Sequence, residues 1–555
     1  MEGIHINTRT TEDSWPIPAR LGLLLCLIAT SVLWAALAGC GGARTDDGAE
    51  VPDVFTESGP LRGIIRDQVD EYLGIPYAAP PVGNLRWMPP KPYGRWPGIL
   101  QATQFGNVCP QESGAVIGSE NCLFLNVYAP HARKKHGPFL PVMVWIHGGG
   151  LSAESGELFD PSPLVEHGNV IVVTINYRLG LLGFFAHPAI DNEGHRRGNY
   201  GLMDQQFALK WVRQNILGFG GNNQLVTIFG QSAGGLSAYC NLASPTAAGL
   251  FQRAIAESGS YSGFTDYLGE IVPLAVAETV GTPSVPSGVA LATAIGCPSQ
   301  TAKCLRDIAA ANLAGLHLNT FNFVYPFIDG TVLTQTPKAA LASGQFNRVP
   351  VISGTNHDEW RLFVAAEYDL SGAPLTNSEY ATAVDALFGP IIGSMVLGFY
   401  PLPTNPAANA ASLALSASGT DGIFSCPSRL ADQSLSRYVT TYAYEFNDGH
   451  APPEIGFSNV SFPLGAYHDS EQQYLMNVSL FPLPPSFTPE QQQLSQTMIT
   501  YWTNFAKTGD PNSAEVPTWT PYSSAADQFQ SLIPPDPTVE SSFATDHLCT
   551  TFWQR

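Results

Sequence analysis

Basic residues are scarce in this sequence. Lys and Arg together number 26 against 46 Asp and Glu, which leaves a net charge of -20 over 555 residues. Nucleic-acid binding depends on Lys and Arg that neutralise phosphates, so that class of function is excluded. Charge of either sign is also thin, at 13 %, while 44 % of the residues are apolar. Disordered chains show the reverse balance, so most of the chain folds. No internal repeat is present, which argues against a repeat array. What remains is a chain too long for one simple core: two domains, or one large α/β domain with insertions.

Only one segment carries a membrane signal. Residues 21–39, "LGLLLCLIATSVLWAALAG", hold no charge, follow Arg20 and run into Cys40. The length permits a transmembrane helix, but the small residues and the flank fit an export signal better. Leu37-Ala38-Gly39-Cys40 resembles a bacterial lipobox, in which the cysteine becomes the lipidated first residue. A plain secretory signal and an uncleaved anchor are the alternatives. The glycine-rich, charged stretch 41–54 reads as a flexible tether. Of nine cysteines, Cys26 lies in the signal and Cys40 at the lipid site, so the mature chain keeps an odd number. Export places these in an oxidising compartment, and disulfides with one thiol left over are expected. Cys109 and Cys122, or Cys297 and Cys304, are close enough to close short loops, whereas Cys426 and Cys549 would staple distant parts. Spacing alone leaves the connectivity open. Cys240, in an apolar run, reads as a buried small hydrophobe.

Strands and helices alternate along the rest. "LPVMVWIHGGG" (140–150) is a buried strand ending in a glycine run, and "NVIVVTINYRLGLLGFF" (169–185) is a second strand leading into a loop. Leu202, Phe207, Leu209 and Val212 recur at helical spacing, as in an amphipathic crossover helix. Val226, Ile228 and Phe229 form a short strand; further strands follow in "FQRAIAESGS", "VPVISGTNHDEW" and "TYAYEFN". Residues 365–440 turn helical and variable, as in a cap over the sheet. "SQTMITYWTNFAKTGDPN" reads as a helix stopped by Gly509 and Pro511. Such alternation implies a mostly parallel sheet covered by helices on both faces.

One strand runs straight into "GQSAGG", with Gly230 and Gly234 flanking Ser232 at G-x-S-x-G spacing. A nucleophile lifted clear of a sheet needs a sharp strand-to-helix turn, and the glycines remove Cβ atoms that would clash there. A plain glycine turn is the bland alternative. Serine is a poor nucleophile at neutral pH and needs a base, with a third group to orient that base. In an α/β-hydrolase the chain order is Ser, acid, His. Asp358 and Glu359 in "TNHDEW" and His468 in "GAYHDSE" stand in that order. Backbone donors for a developing oxyanion come from the residue after the nucleophile, Ala233, and from a loop of the His147-Gly148-Gly149-Gly150 type.

These stretches, together with "SENCLFLNVYAP", "NYRLGLLGFF", "GNYGLMDQQFALKWVRQNI", "PFIDGTVL", "YWTNFAKTGDPN" and "DHLCTTFW", resemble the type B carboxylesterases, the cholinesterase-like branch of the α/β-hydrolases. The resemblance covers residues 55–555 and implies a single α/β-hydrolase domain with helical cap insertions. It implies Ser232 as nucleophile, Glu359 rather than Asp358 as acid, His468 as base, and Gly149, Gly150 and Ala233 as the oxyanion hole. It further implies the disulfides Cys109–Cys122, Cys297–Cys304 and Cys426–Cys549 with Cys240 free. Arg86 with Glu120 and Arg178 with Asp204 are implied as structural ion pairs. The expected activity is hydrolysis of small-molecule carboxylic esters through an acyl-enzyme, with no metal or organic cofactor. Membrane contact is expected only through the N-terminal lipid, and the oligomeric state is left open.

Three departures bear on the substrate. Gln231 stands where the family often has Glu, so one negative charge near the substrate is missing and a cationic ester is less favoured. The Cys109–Cys122 loop contains no aromatic residue, unlike the choline-binding loop of cholinesterases. Trp360 replaces the glycine after the acid, a bulk able to shift the loop that holds Glu359. Ser258 matches a buried family serine near the triad and is assigned a local structural role. A lipase or amide hydrolase with the same triad is the nearest alternative, and a catalytically silent binding protein is a more distant one, because the silent members lose residues that this chain keeps.

Overall fold

The computed structural model describes residues 53–131, 138–195, 197–262, 270–282, 286–316 and 324–554. The export segment and Cys40 lie outside the described residues. The scaffold is one eleven-stranded sheet. Its strands are β1 (Ile64–Arg66), β2 (Val69–Pro76), β3 (Phe124–Pro130), β4 (Leu140–Ile146), β5 (Ile171–Ile175), β6 (Gly221–Gln231), β7 (Arg253–Glu257), β8 (Val351–Asn356), β9 (Thr441–Phe446), β10 (Phe529–Leu532) and β11 (Thr538–Glu540). In space they run β11-β10-β9-β8-β7-β6-β4-β5-β3-β2-β1. From β5 through β4, β6, β7, β8 and β9 to β10 every pairing is parallel, and the outer pairs are antiparallel. Parallel neighbours point their carboxyl ends the same way, so the loops after β4, β6 and β8 meet on one rim.

The central strands are apolar on both faces because helices cover them. Val142, Val144, Ile146, Ile228, Phe229, Val351 and Ile352 are all fully buried. Helix α1 (Tyr200–Asn215) buries Leu202, Leu209 and Val212, with Phe207 half-buried. Helix α2 (Ala233–Ala243) follows β6 directly and packs on β6 and β7. The stretch expected to be a helical cap forms α3 (Tyr380–Phe399), α4 (Ala410–Gly419), a wider π turn over Thr420–Ser425, and α5 (Cys426–Leu435). The last long helix, α6 (Pro489–Thr508), begins earlier than its apolar pattern suggests. Thr488 and Gln491 cap it reciprocally and Pro489 takes its first position; Gly509 ends it in a left-handed conformation. These are polar start signals that an apolar period does not register.

The structure contains the disulfides Cys109–Cys122, Cys297–Cys304 and Cys426–Cys549, and Cys240 is free and buried. Burial pushes the Cys240 thiol up, which keeps it unreactive. Arg86 pairs with Glu120, and Arg178 makes a two-point contact with the fully buried Asp204 at 2.7 and 2.8 Å. Both pairs tie loops to the scaffold.

Candidate active site

Ser232 occupies the turn between β6 and α2. Its backbone is held at φ 54 and ψ -118, a conformation that a non-glycine residue adopts only when its surroundings force it. The forcing is visible in the neighbours. Ser232 N donates to Glu257 O at 2.9 Å on β7, and Leu236 N donates to Ser232 O at 2.9 Å. The flanking glycines are required by close approach. A Cβ at Gly234 would lie 1.8 Å from Ile146 O, and one at Gly230 would lie 2.4 Å from the same oxygen. The end of β4 is thus pressed against the turn, with only 7 % of Ser232 left exposed.

That contact also brings the glycine run to the serine. A Cβ on Gly148 would sit 3.3 Å from Ser232 Cβ, and Gly149 and Gly150 both take positive φ, at 75° and 63°. His147 anchors the run. Its ring stacks on Tyr177 at 4.4 Å, and the Tyr177 hydroxyl donates to His147 O at 2.9 Å. Burial lowers the His147 pKa to about 3, so this ring is neutral and structural. On the other side Gly148 N donates to Glu154 Oε2 at 3.1 Å. Among the described residues, no acceptor takes the N–H of Gly149, Gly150 or Ala233. Three donors are therefore free beside the serine.

Glu359 and His468 meet on the same rim. Glu359, two residues past His357 on the loop after β8, is fully buried. Its Oε1 accepts from Thr355 Oγ1 at 2.6 Å and from Asn356 N at 2.8 Å, and its Oε2 lies 2.5 Å from His468 Nδ1. Asp358 points elsewhere: it accepts from Ala466 N at 3.0 Å and pairs with Arg361 at 2.8 Å, which fastens the loop carrying His468. Phe363 and Phe424 flank the His468 ring at 5.1 and 5.0 Å. Trp360 does not displace Glu359. Its indole is buried against Gly419 of α4, where a Cβ would lie 2.2 Å from Trp360 Cγ, and the Trp360 backbone N–H donates to Thr420 Oγ1 at 2.9 Å. Gly419 facing the indole provides the room that the bulk of Trp360 needs. Ser258, buried at φ 49, donates its N–H to Gly354 O at 2.9 Å and belongs to the β7–β8 junction.

The Nε2 side of His468 holds what sequence reasoning missed. Gln231 is buried and its Nε2 lies 3.4 Å from His468 Nε2, while Asp469 Oδ1 is 3.7 Å from that nitrogen. Asp469 sits at φ 75 and takes hydrogen bonds from Gln231 and from Gln472. The charge expected to be missing at residue 231 is therefore supplied next to the histidine by residue 469, so Gln231 alone does not argue against a cationic ester. Glu154, partly buried, and Glu454 and Glu471, both buried, also surround the imidazole. Burial, reinforced by Asp469, lifts Glu154 to about 8, and burial raises Glu454 and Glu471 well above the usual carboxylate range. Burial works against an imidazolium at His468, but Asp469, Glu359, the short hydrogen bond to Glu359 and Glu471 outweigh it and raise its pKa to about 9. No spacing rule marks Glu154, Glu454 or Asp469; only folding brings them together.

A parallel sheet with a serine on a strained strand-to-helix turn, and a histidine and carboxylate joined on the same rim, defines an α/β-hydrolase of the serine type. The chain belongs to the Carboxylesterase family, whose model matches residues 50–549. It is 33 % identical to the acylcarnitine hydrolase of Mus musculus over 546 residues, covering 92 % of this chain and 91 % of that protein. It is 35 % identical to the para-nitrobenzyl esterase of Bacillus subtilis (strain 168), over 84 % of this chain and 92 % of the relative. A solved structure of a PNB esterase superimposes with a TM-score of 0.71 at 32 % identity, covering 88 % of this chain and 97 % of that one. The protein is a serine hydrolase that cleaves carboxylic esters through an acyl-enzyme intermediate.

Proposed function

We propose that Ser232, His468 and Glu359 are the nucleophile, base and acid of this ester hydrolase. The observation that carries the assignment is the 2.5 Å contact between Glu359 Oε2 and His468 Nδ1 on the rim where Ser232 is held at positive φ. Glu359 fixes the tautomer, leaving Nε2 to take the Ser232 proton as Oγ attacks the ester carbonyl. The carbonyl oxygen becomes an oxyanion that Gly149, Gly150 and Ala233 receive through their free N–H groups. His468 then gives the proton to the departing alcohol, and water repeats the sequence on the acyl-enzyme. The proton and electron balance closes without metal or organic cofactor.

The substrate class is a small ester with an apolar group. A mostly apolar hollow is lined by Leu181, Phe184, Phe185, Val272, Leu291 and Val324, and Val324 N donates to Gly150 O at 3.2 Å. The hollow thus adjoins the loop that would bind the oxyanion. Labelling with an organophosphonate probe tests the assignment: Ser232→Ala should lose the label and about 10⁶-fold in kcat. Retained label and turnover in that variant would reassign the nucleophile. Residues 55–555 form one catalytic domain in this reading. We also propose export by residues 1–40 and lipidation of Cys40; three disulfides suit an oxidising compartment. Radiolabelled palmitate should enter the wild type and not Cys40→Ser, and equal labelling of both would remove the anchor.

A further inference from the structure

A second set of side chains, away from the serine, has the donor chemistry of a transition-metal site. His357 follows β8, Glu445 lies in β9, and His547 precedes the disulfide at Cys549. His357 Nδ1 is 3.1 Å and His547 Nε2 is 2.5 Å from the same oxygen, Glu445 Oε1. The ligand atoms of the three residues all lie within 4.8 Å of one another. Zinc bonds nitrogen and oxygen at about 2.0–2.2 Å, which puts tetrahedral ligands about 3.3 Å apart. His357 already stands near that spacing, and His547 would retreat by under about 1 Å.

The supports around the three residues point the same way. His547 Nδ1 faces Asp421 Oδ1 at 2.6 Å. Asp421 is itself held by the Tyr400 hydroxyl at 2.6 Å, and that hydroxyl accepts from Trp553 Nε1 at 2.7 Å. A fixed carboxylate on the far nitrogen is what sets the tautomer and basicity of a metal-ligating histidine. Glu540 of β11 supplies a further carboxyl beside Glu445: Asn447 Nδ2 donates to Glu445 Oε2 at 2.9 Å and lies 3.4 Å from Glu540 Oε2. His357 is 44 % exposed at its side chain and leaves an entry path. Mixed imidazole and carboxylate donors suit zinc-type ions rather than calcium or magnesium.

We infer that His357, Glu445 and His547, with Glu540 beside them, bind one divalent cation of the zinc type at a site separate from the ester-cleaving centre. The ion joins the loop after β8, strand β9 and the C-terminal segment. Since Glu359 lies two residues from His357, the same ion stiffens the turn that carries it. Chelator-treated full-length protein titrated with zinc chloride by calorimetry tests the site, with Co²⁺ absorption as a second readout. The wild type should take up one equivalent, show the visible band of a low-coordinate Co²⁺ centre, and melt at higher temperature with zinc. His357→Ala and the bulkier His357→Gln, both changes at an exposed side chain, should weaken uptake at least about tenfold and abolish the thermal shift. Absence of stoichiometric uptake, or uptake unchanged in both variants, would overturn the site and leave His547 as an imidazolium between two carboxylates.

Discussion

Replacing Asp469 by Asn removes one negative charge beside the nitrogen that must accept the serine proton, with little change of shape. Asp469 Oδ1 lies 3.7 Å from His468 Nε2. A unit charge pair at that distance is worth about 1 kcal/mol in a water-like dielectric and about 4 kcal/mol at an effective dielectric near 20. At 1.36 kcal/mol per pKa unit, the imidazole would fall by about one to three units. Burial raises the pKa of Asp469 itself, and the water-like end of that range, about one unit, sets the expected shift. The other carboxyls that face the ring, Glu154, Glu359, Glu454 and Glu471, are left in place. The sign follows from the reaction. Only neutral His468 accepts the proton, so kcat/KM falls as pH drops through its pKa, which in the wild type is raised to about 9. Asp469→Asn should move that acid limb down by about one unit and raise relative activity near pH 7. The assay is kcat/KM for a nitrophenyl ester across the limb, corrected for spontaneous hydrolysis. An acid limb that stays put in Asp469→Asn, or moves upward, refutes the reasoning.

Three further outcomes follow from contacts elsewhere. Glu154→Ala removes the acceptor of Gly148 N–H and should cost about 10–10² in kcat by loosening the oxyanion loop, whereas Glu154→Gln, which keeps a neutral acceptor, should stay near wild type below pH 8; equal kcat in all three would refute the link. Gly419→Ala places a Cβ 2.2 Å from the Trp360 ring and should destabilise by about 1–3 kcal/mol or more, with Trp360→Gly in the same chain relieving part of that loss; urea melts of the two single variants and the double measure it, and strict additivity would show that the two residues do not compete for space. Reducing Cys426–Cys549, which closes 123 residues, should cost about 4–5 kcal/mol by chain entropy and lower the melting temperature further than loss of the Cys109–Cys122 link, which spans 13 and should cost about 3 kcal/mol.

The parts legible from sequence were those with a short local signature. The strand running into Ser232, the glycine run after Ile146 and the alternation of apolar strands with α1 each reflect a constraint inside one stretch of chain. Even the need for Gly230 and Gly234 was readable, although not its agent: the clash is with Ile146 O, 84 positions before Gly230 in the chain, on the strand that also carries the glycine run. The start of α6 was missed because Thr488 and Gln491 signal it by hydrogen bonds rather than by an apolar period.

The rest was hidden because it depends on which distant residues share a volume. Trp360 looked like a disturbance to the acid loop, and nothing near it in sequence says that Gly419 makes room. Gln231 looked like a lost charge, yet the relevant quantity is the total field at His468, and Asp469 restores it at the same ring nitrogen. In the sequence Gln231 and Asp469 appear unrelated; in space they are one hydrogen-bonded pair. A glutamate at 231 facing Asp469 would set two carboxylates against each other in a buried site that already holds Glu154, Glu454 and Glu471, and like charges there must keep a proton between them. The amide of Gln231 avoids that repulsion and donates to Asp469 instead. Charge at this site is therefore a property of the pair, and the substrate preference it imposes has to be read from both residues together.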